Sequence, residues 1–131
     1  MTNTRVTEIP AADAAPAVAH FAGLLAFETD CWDVHDALDR GTDFVLLDVR
    51  SPDSFAAGHI DGALSWPYGK LTERRLSDYA TDTTFVVYCA GPHCNAADRA
   101  ALQLARLGRP VKKMIGGVTG WMDEGFDITT G

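Results

Sequence analysis

The sequence predicts an α/β fold, an open and mostly parallel sheet with helices on both faces. Three observations carry that expectation. Short apolar runs alternate along the chain with tracts of helical periodicity, and strands joined through helices pair in parallel by right-handed crossovers. The runs FVLLDVR (44–50) and FVVY (85–88) are apolar at nearly every position, the pattern of a strand covered on both faces. No internal repeat or linker interrupts the 131 residues, a length that suits one domain with one continuous core.

Each element then has its own signal. Residues up to about Ile9 read as a loose tail. Pro16 sits where a first helical turn tolerates proline, and Val18, Phe21, Leu24 and Leu25 recur at helical spacing. They give an N-terminal helical extension, about 14–30, on a single domain spanning 1–131. CWDVHDALDRG (31–41) predicts a second helix, with Trp32 and Val34 at its start, Ala37 and Leu38 on one face and Gly41 as its stop. After the strand 44–50, SPDSFAAG (51–58) reads as a short helix, ALSWPYG (63–69) as extended or loop, and LTERRLSDYA (71–80) as helical. FVVY repeats the buried-strand signature. NAADRAALQLARLG (95–108) has the clearest helical pattern, with Ala100, Leu102, Ala105 and Leu107 as its apolar positions and Gly108 as its stop. VKKMIGG (111–117) is a strand, and VTGWMDEGF (118–126) a closing short helix or turn.

Composition narrows the function. With 47% hydrophobic residues the chain is built to fold alone rather than remain disordered. A formal charge of −7 and no basic run disfavour nucleic acid as a partner. The same charge repels small anions at long range, but screening beyond roughly 10 Å leaves the local field at a site in control. The apolar tract Ala17 to Phe27 contains His20, follows no basic cluster and falls short of the about 20 residues of a membrane span, so the expectation is a cytoplasmic protein without a membrane partner. Cys31, Cys89 and Cys94 are an odd set without the density of a secreted disulfide scaffold, so at least one thiol stays free unless it pairs between chains.

Cys89 falls at the carboxyl end of a predicted strand, where open α/β sheets bind ligands. A helix beginning near Asn95 leaves unpaired N–H groups and the positive end of its dipole facing the preceding loop. That environment stabilises an anion and lowers a thiol below its free pKa of about 8.5. The other reading of Cys89 is a small buried hydrophobe. Cys89, His93 and Cys94 are potential metal ligands, but three residues of one loop without a clear fourth do not make a closed zinc pattern, so no metal and no cofactor is expected.

LLDVRSPDSFAAGHIDGALSWP, VVYCAGPHCNAADRAALQLARLG and MIGGVTGW occur in the order and spacing of rhodanese-like domains, and the chain resembles that family from about Asp33 to Phe126. The resemblance implies a sulfurtransferase in which Cys89, at the position of the family nucleophile, carries sulfane sulfur as a persulfide from a small-molecule donor to a thiol or protein acceptor. The loop common in the family is Cys-x-x-Gly-x-Arg. Here CAGPHC places Gly91 one position early and Cys94 where the arginine is expected. Without that charge, either His93 when protonated, the backbone amides and the helix end suffice, or activity on thiosulfate is weak. The substrate-binding residues expected are Ala90, Gly91, Pro92, His93, Cys94 and Asn95, with Asp48 and Arg50 as supports of the surrounding loops.

The sequence leaves two rival functions open. One is a catalytically quiet rhodanese-like binding module, the other a thiol redox sensor using Cys89 and Cys94. Cys94 itself could attack a persulfide on Cys89 or could pack under the helix start. His59 reads as a cap or bridge of loop backbone, Trp66 and Trp121 as packing, and Gly116 and Gly117 as a turn beside the loop. His20 and His35 receive no role, and oligomeric state is not legible.

Overall fold

The computed structural model describes residues 4–131. Five parallel strands form one sheet in the order β1-β5-β4-β2-β3. They are β1 (Glu28–Thr29), β2 (Phe44–Asp48), β3 (Leu64–Ser65), β4 (Thr84–Tyr88) and β5 (Val111–Met114). The central pair, β2 and β4, runs in register from Phe44 opposite Thr84 to Asp48 opposite Tyr88.

The two apolar runs form these central strands because both of their faces are covered. Side chains alternate across a strand, so Leu47, Phe85 and Val87 point to one face while Leu46, Val86 and Tyr88 point to the other. On the first face lie α5 (Glu73–Leu76) and α6 (Ala96–Arg106), on the second α3 (Cys31–Arg40) and α7 (Gly117–Asp123). Burial of each large apolar side chain contributes about 1.5–3 kcal/mol, and Leu47, Phe85 and Val87 are fully enclosed. The face of α6 that makes this core is Ala97, Ala100 and Leu104, spaced i, i+3, i+7. Leu102, one of the apolar positions that mark this helix in the sequence, projects from the opposite side and is exposed.

Several boundaries differ from the sequence expectation. The presumed tail holds a one-turn helix, α1 (Arg5–Glu8), closed by the Thr4 carbonyl accepting from the Thr7 and Glu8 amides; residues 1–3 lie outside the described residues. The N-terminal extension is helical only over α2 (Ala14–Phe27) and then becomes β1, an edge strand too short to leave a periodic signal. The tract 71–80 is helical for one turn, started by the Thr72 side chain accepting from the Arg75 amide. Its end is turned by Ser77, whose hydroxyl donates back to the Arg74 carbonyl. β5 stops at Met114, because Gly116 and Gly117 both take positive φ, at 90° and 61°.

Candidate active site

β4 ends at Tyr88, and Cys89 continues its alternation onto the α6 face. Residues 90–95 then turn back to the start of α6, the Cys94 amide donating to the Gly91 carbonyl at 3.2 Å. This turn brings Cys94 to Cys89, and the two form a disulfide with a Cα–Cα separation of 6.3 Å. Cys31 is the free thiol, buried at the first position of α3 with its Sγ 3.6 Å from the Ile115 carbonyl. Burial above all, then the charges of Asp30 and Glu124, push that thiol up to about 11.

The loop is clamped from the side by α7. Val118 N donates to the Cys89 carbonyl at 3.0 Å, and both N and Oγ1 of Thr119 donate to the Ala90 carbonyl. Gly117 makes the approach possible: a Cβ there would lie 2.5 Å from the Cys89 carbonyl oxygen and 2.7 Å from the Gly91 amide nitrogen. A Cβ on Gly91 would meet Thr119 Oγ1 at 2.8 Å. Gly116 and Gly117 thus form the turn beside the loop that the sequence predicts, and at Gly117 that turn is also a close backbone contact.

Between the loop and the end of β5 lies a cavity of about 240 Å³. Cys89, Gly91, Pro92 and Cys94 line one side, the segment from Lys113 to Gly117 another, and Ala97 and Asp98 of the first turn of α6 the rest. Cys89 has only 4% of its surface exposed but opens onto this cavity, so it is neither sealed in hydrocarbon nor at the open surface. Among the described residues, the amides of Ala90, Gly91 and His93 donate to no backbone carbonyl. α6 has no side-chain cap, since Asn95 Oδ1 instead accepts from Arg99 Nε at 3.3 Å. Donors for an anion are thus left in the loop and at the helix end.

Of the residues expected to bind substrate, the cavity gathers Gly91, Pro92 and Cys94 beside Cys89, while Ala90, His93 and Asn95 lie exposed and are not among its walls. Sequence reasoning missed Lys113, Asp98 and Ala97. Lys113 Nζ sits 2.9 Å from Asp98 Oδ1 and 3.5 Å from Glu28 Oε2. The hydrogen bond that Lys113 donates to Asp98 raises its pKa, partial burial opposes this, and the charges of Asp98 and Glu28 add to the rise. A cation therefore stands at the cavity wall although the loop has no arginine. It arrives from β5, which neighbours β4 in the sheet but not in the chain.

Asp48 and Arg50 do not line the cavity, and they are not a solvated pair. Asp48 is fully buried; Arg50 donates from Nη2 at 2.7 Å and Nε at 3.2 Å to its Oδ2, and its amide donates to Oδ1. Arg50 Nη2 also donates to the Gly58 carbonyl at 2.6 Å, tying β2 to the end of α4 (Pro52–Ala57). Burial lowers the arginine pKa, but the hydrogen bond and charge of Asp48 more than offset it, and the net direction is upward. Tyr88, the residue before Cys89, is held against this pair: its hydroxyl accepts from the Ile60 amide at 3.1 Å, and burial with the Asp48 charge pushes its pKa up. His59 bridges backbone, its Nδ1 2.7 Å from the Phe55 carbonyl, and Trp66 and Trp121 are core residues.

A parallel α/β domain with a cysteine loop between a central strand and its crossover helix is the class that this fold and site define. The chain belongs to the rhodanese-like domain family, whose model matches residues 32–124. A sulfurtransferase of Allochromatium vinosum is 31% identical over 101 residues, which cover 77% of this chain and 92% of that protein. An HTH-type transcriptional regulator of Mycobacterium tuberculosis is 35% identical over 86 residues, 66% of this chain but only 38% of the regulator. A crystal structure of a protein from Bacillus halodurans superimposes with a TM-score of 0.84 at 32% identity, covering 88% of this chain and 85% of that one. Among the described residues no helix is long and apolar enough to cross a membrane.

Proposed function

We propose that the chain is a sulfurtransferase in which Cys89, once reduced, carries sulfane sulfur. The observation that supports this most is the position of Cys89: the carboxyl end of a central strand, opening on a cavity lined by Gly91, whose amide has no backbone acceptor, and by the first turn of the uncapped α6. The Cys89 thiolate attacks the outer sulfur of a donor R–S–S⁻; the donor S–S bond breaks, R–S⁻ leaves, and Cys89 holds a persulfide. Attack on the outer sulfur by an acceptor thiolate regenerates Cys89. The amides stabilise the negative charge of the persulfide and of the transition state without reorganising.

The wall chemistry favours one donor class. Lys113 lines this cavity but is engaged by two carboxylates, so a dianion such as thiosulfate finds little uncompensated positive charge there. A persulfide with a thiol leaving group fits better, and the acceptor is a small thiol or a protein thiol.

The test uses reduced protein carrying Cys94→Ser, so that the second cysteine cannot drain the product. After exposure to glutathione persulfide and removal of excess donor, cyanide should release thiocyanate, and the Cys89→Ser/Cys94→Ser protein should release none. Equal thiocyanate from both would overturn the assignment of Cys89. The disulfide favours a second reading, a thiol redox sensor, which requires the reduced wild type to form the disulfide with a peroxide while gaining no sulfur from any donor.

A further inference from the structure

We infer that Cys94 is a resolving cysteine, so that a persulfide on Cys89 is discharged as hydrosulfide and the loop is left as the Cys89–Cys94 disulfide, to be reopened by a dithiol. The inference rests on the sulfur-transfer reading above. It adds a reaction, a second catalytic residue and the chemical class of a further substrate.

The geometry starts from the turn. The Cys94 amide donates to the Gly91 carbonyl, and the Gly117 and Thr119 clamps hold the first half of the loop against α7. With the loop so held, the Cα–Cα distance of 6.3 Å lies inside the roughly 4.4–6.8 Å that a disulfide spans. Both sulfurs belong to residues lining the same cavity, where the persulfide would form. A cysteine that merely packed under the helix start would have no reason to be bonded to the nucleophile. The position where an arginine is expected to hold the donor instead delivers a second thiol to the first.

The step balances. The Cys94 thiolate attacks Sγ of Cys89, the inner sulfur of Cys89–S–S⁻; the Sγ–Sγ bond forms, the bond to the outer sulfur breaks, and that sulfur leaves with the electron pair as hydrosulfide, taking up a proton. The sulfane sulfur is reduced and the two cysteines are oxidised. Two electrons from a dithiol then restore both thiols. The incoming thiolate meets Cys94 first, because Cys94 is half-buried whereas Cys89 is buried beneath it. A mixed disulfide on Cys94 with Cys89 as leaving group results, and the second thiol of the dithiol closes on itself to release Cys94.

The experiment is a single turnover. Reduced wild type, Cys94→Ser, Cys94→Ala and Cys89→Ser proteins each receive one equivalent of glutathione persulfide with no acceptor, and hydrosulfide release and intact mass are followed. Wild type should release close to one equivalent of hydrosulfide and end two hydrogens lighter. Both Cys94 variants should keep one added sulfur and release hydrosulfide about tenfold more slowly or less, as expected when an intramolecular attacking thiol is lost. Dithiothreitol should then return the wild type to the reduced mass faster than an equal thiol concentration of glutathione. A persulfide that persists equally in wild type and Cys94 variants would overturn this inference alone. No added sulfur and no Cys89-dependent hydrosulfide in any variant would overturn the transfer reading and this one together.

Discussion

β2 and β4 are neighbours in the sheet and end at the same edge, Asp48 opposite Tyr88, yet their ends are built in opposite ways. At the end of β2 the polar groups find protein partners: Asp48 accepts from Arg50 side chain and backbone, and Arg50 reaches on to Gly58. At the end of β4 the chain turns into a loop whose Ala90, Gly91 and His93 amides find no backbone acceptor and whose two cysteines, both lining one cavity, are bonded to each other. A saturated end fixes geometry; an unsaturated end can do chemistry. Tyr88 links the two, packed against the ion pair and bonded to Cys89.

Breaking the saturated end should have the largest effect on stability. Asp48→Ala leaves a largely buried guanidinium without its partner, so the expected loss is about 3 kcal/mol or more, measured by urea denaturation. A loss under about 1 kcal/mol would mean that Arg50 relaxes to solvent and that the contrast between the two ends is weaker than drawn.

The clamp on the unsaturated end is the next target. Gly117→Ala puts a methyl group into the Cys89 carbonyl at a residue with φ of 61°. The expected cost is about 1–3 kcal/mol, with slower sulfur loading of Cys89 because the loop shifts. Normal loading kinetics in a destabilised variant would show that the loop holds its shape without α7.

A smaller effect distinguishes the two kinds of cysteine through pH. Cys31 is pushed up to about 11, above the unfolded value near 9.0, so the folded state keeps a proton that the unfolded state loses. Stability should therefore fall as pH rises from about 9 to 11, and Cys31→Ala should flatten that slope. An unchanged slope in the variant would place the alkaline loss elsewhere.

What could be read from the sequence was what local pattern encodes. Doubly covered strands announce themselves as largely apolar runs, α6 by its periodicity, and Cys89 by its place at a strand end. Family resemblance supplied the transfer chemistry. The remainder depended on strand order. Lys113 and Gly117 reach the cysteine loop because β5 lies beside β4, which no window around residues 89–95 contains. β1 has only two residues and therefore no period, and the burial of Asp48 depends on elements up to forty positions away. Whether Cys94 could reach Cys89 turned on the backbone of the loop, which the six letters CAGPHC do not specify.

The central claim is that the reduced Cys89 is an activated thiol facing a cavity, and alkylation tests it directly. Reduced protein is treated with iodoacetamide at pH 7 and the rate of modification of each cysteine is followed by peptide mass. Cys89 should react faster than a free cysteine in a short peptide, while Cys31 stays unmodified. A Cys89 that reacts as slowly as Cys31 would contradict the account.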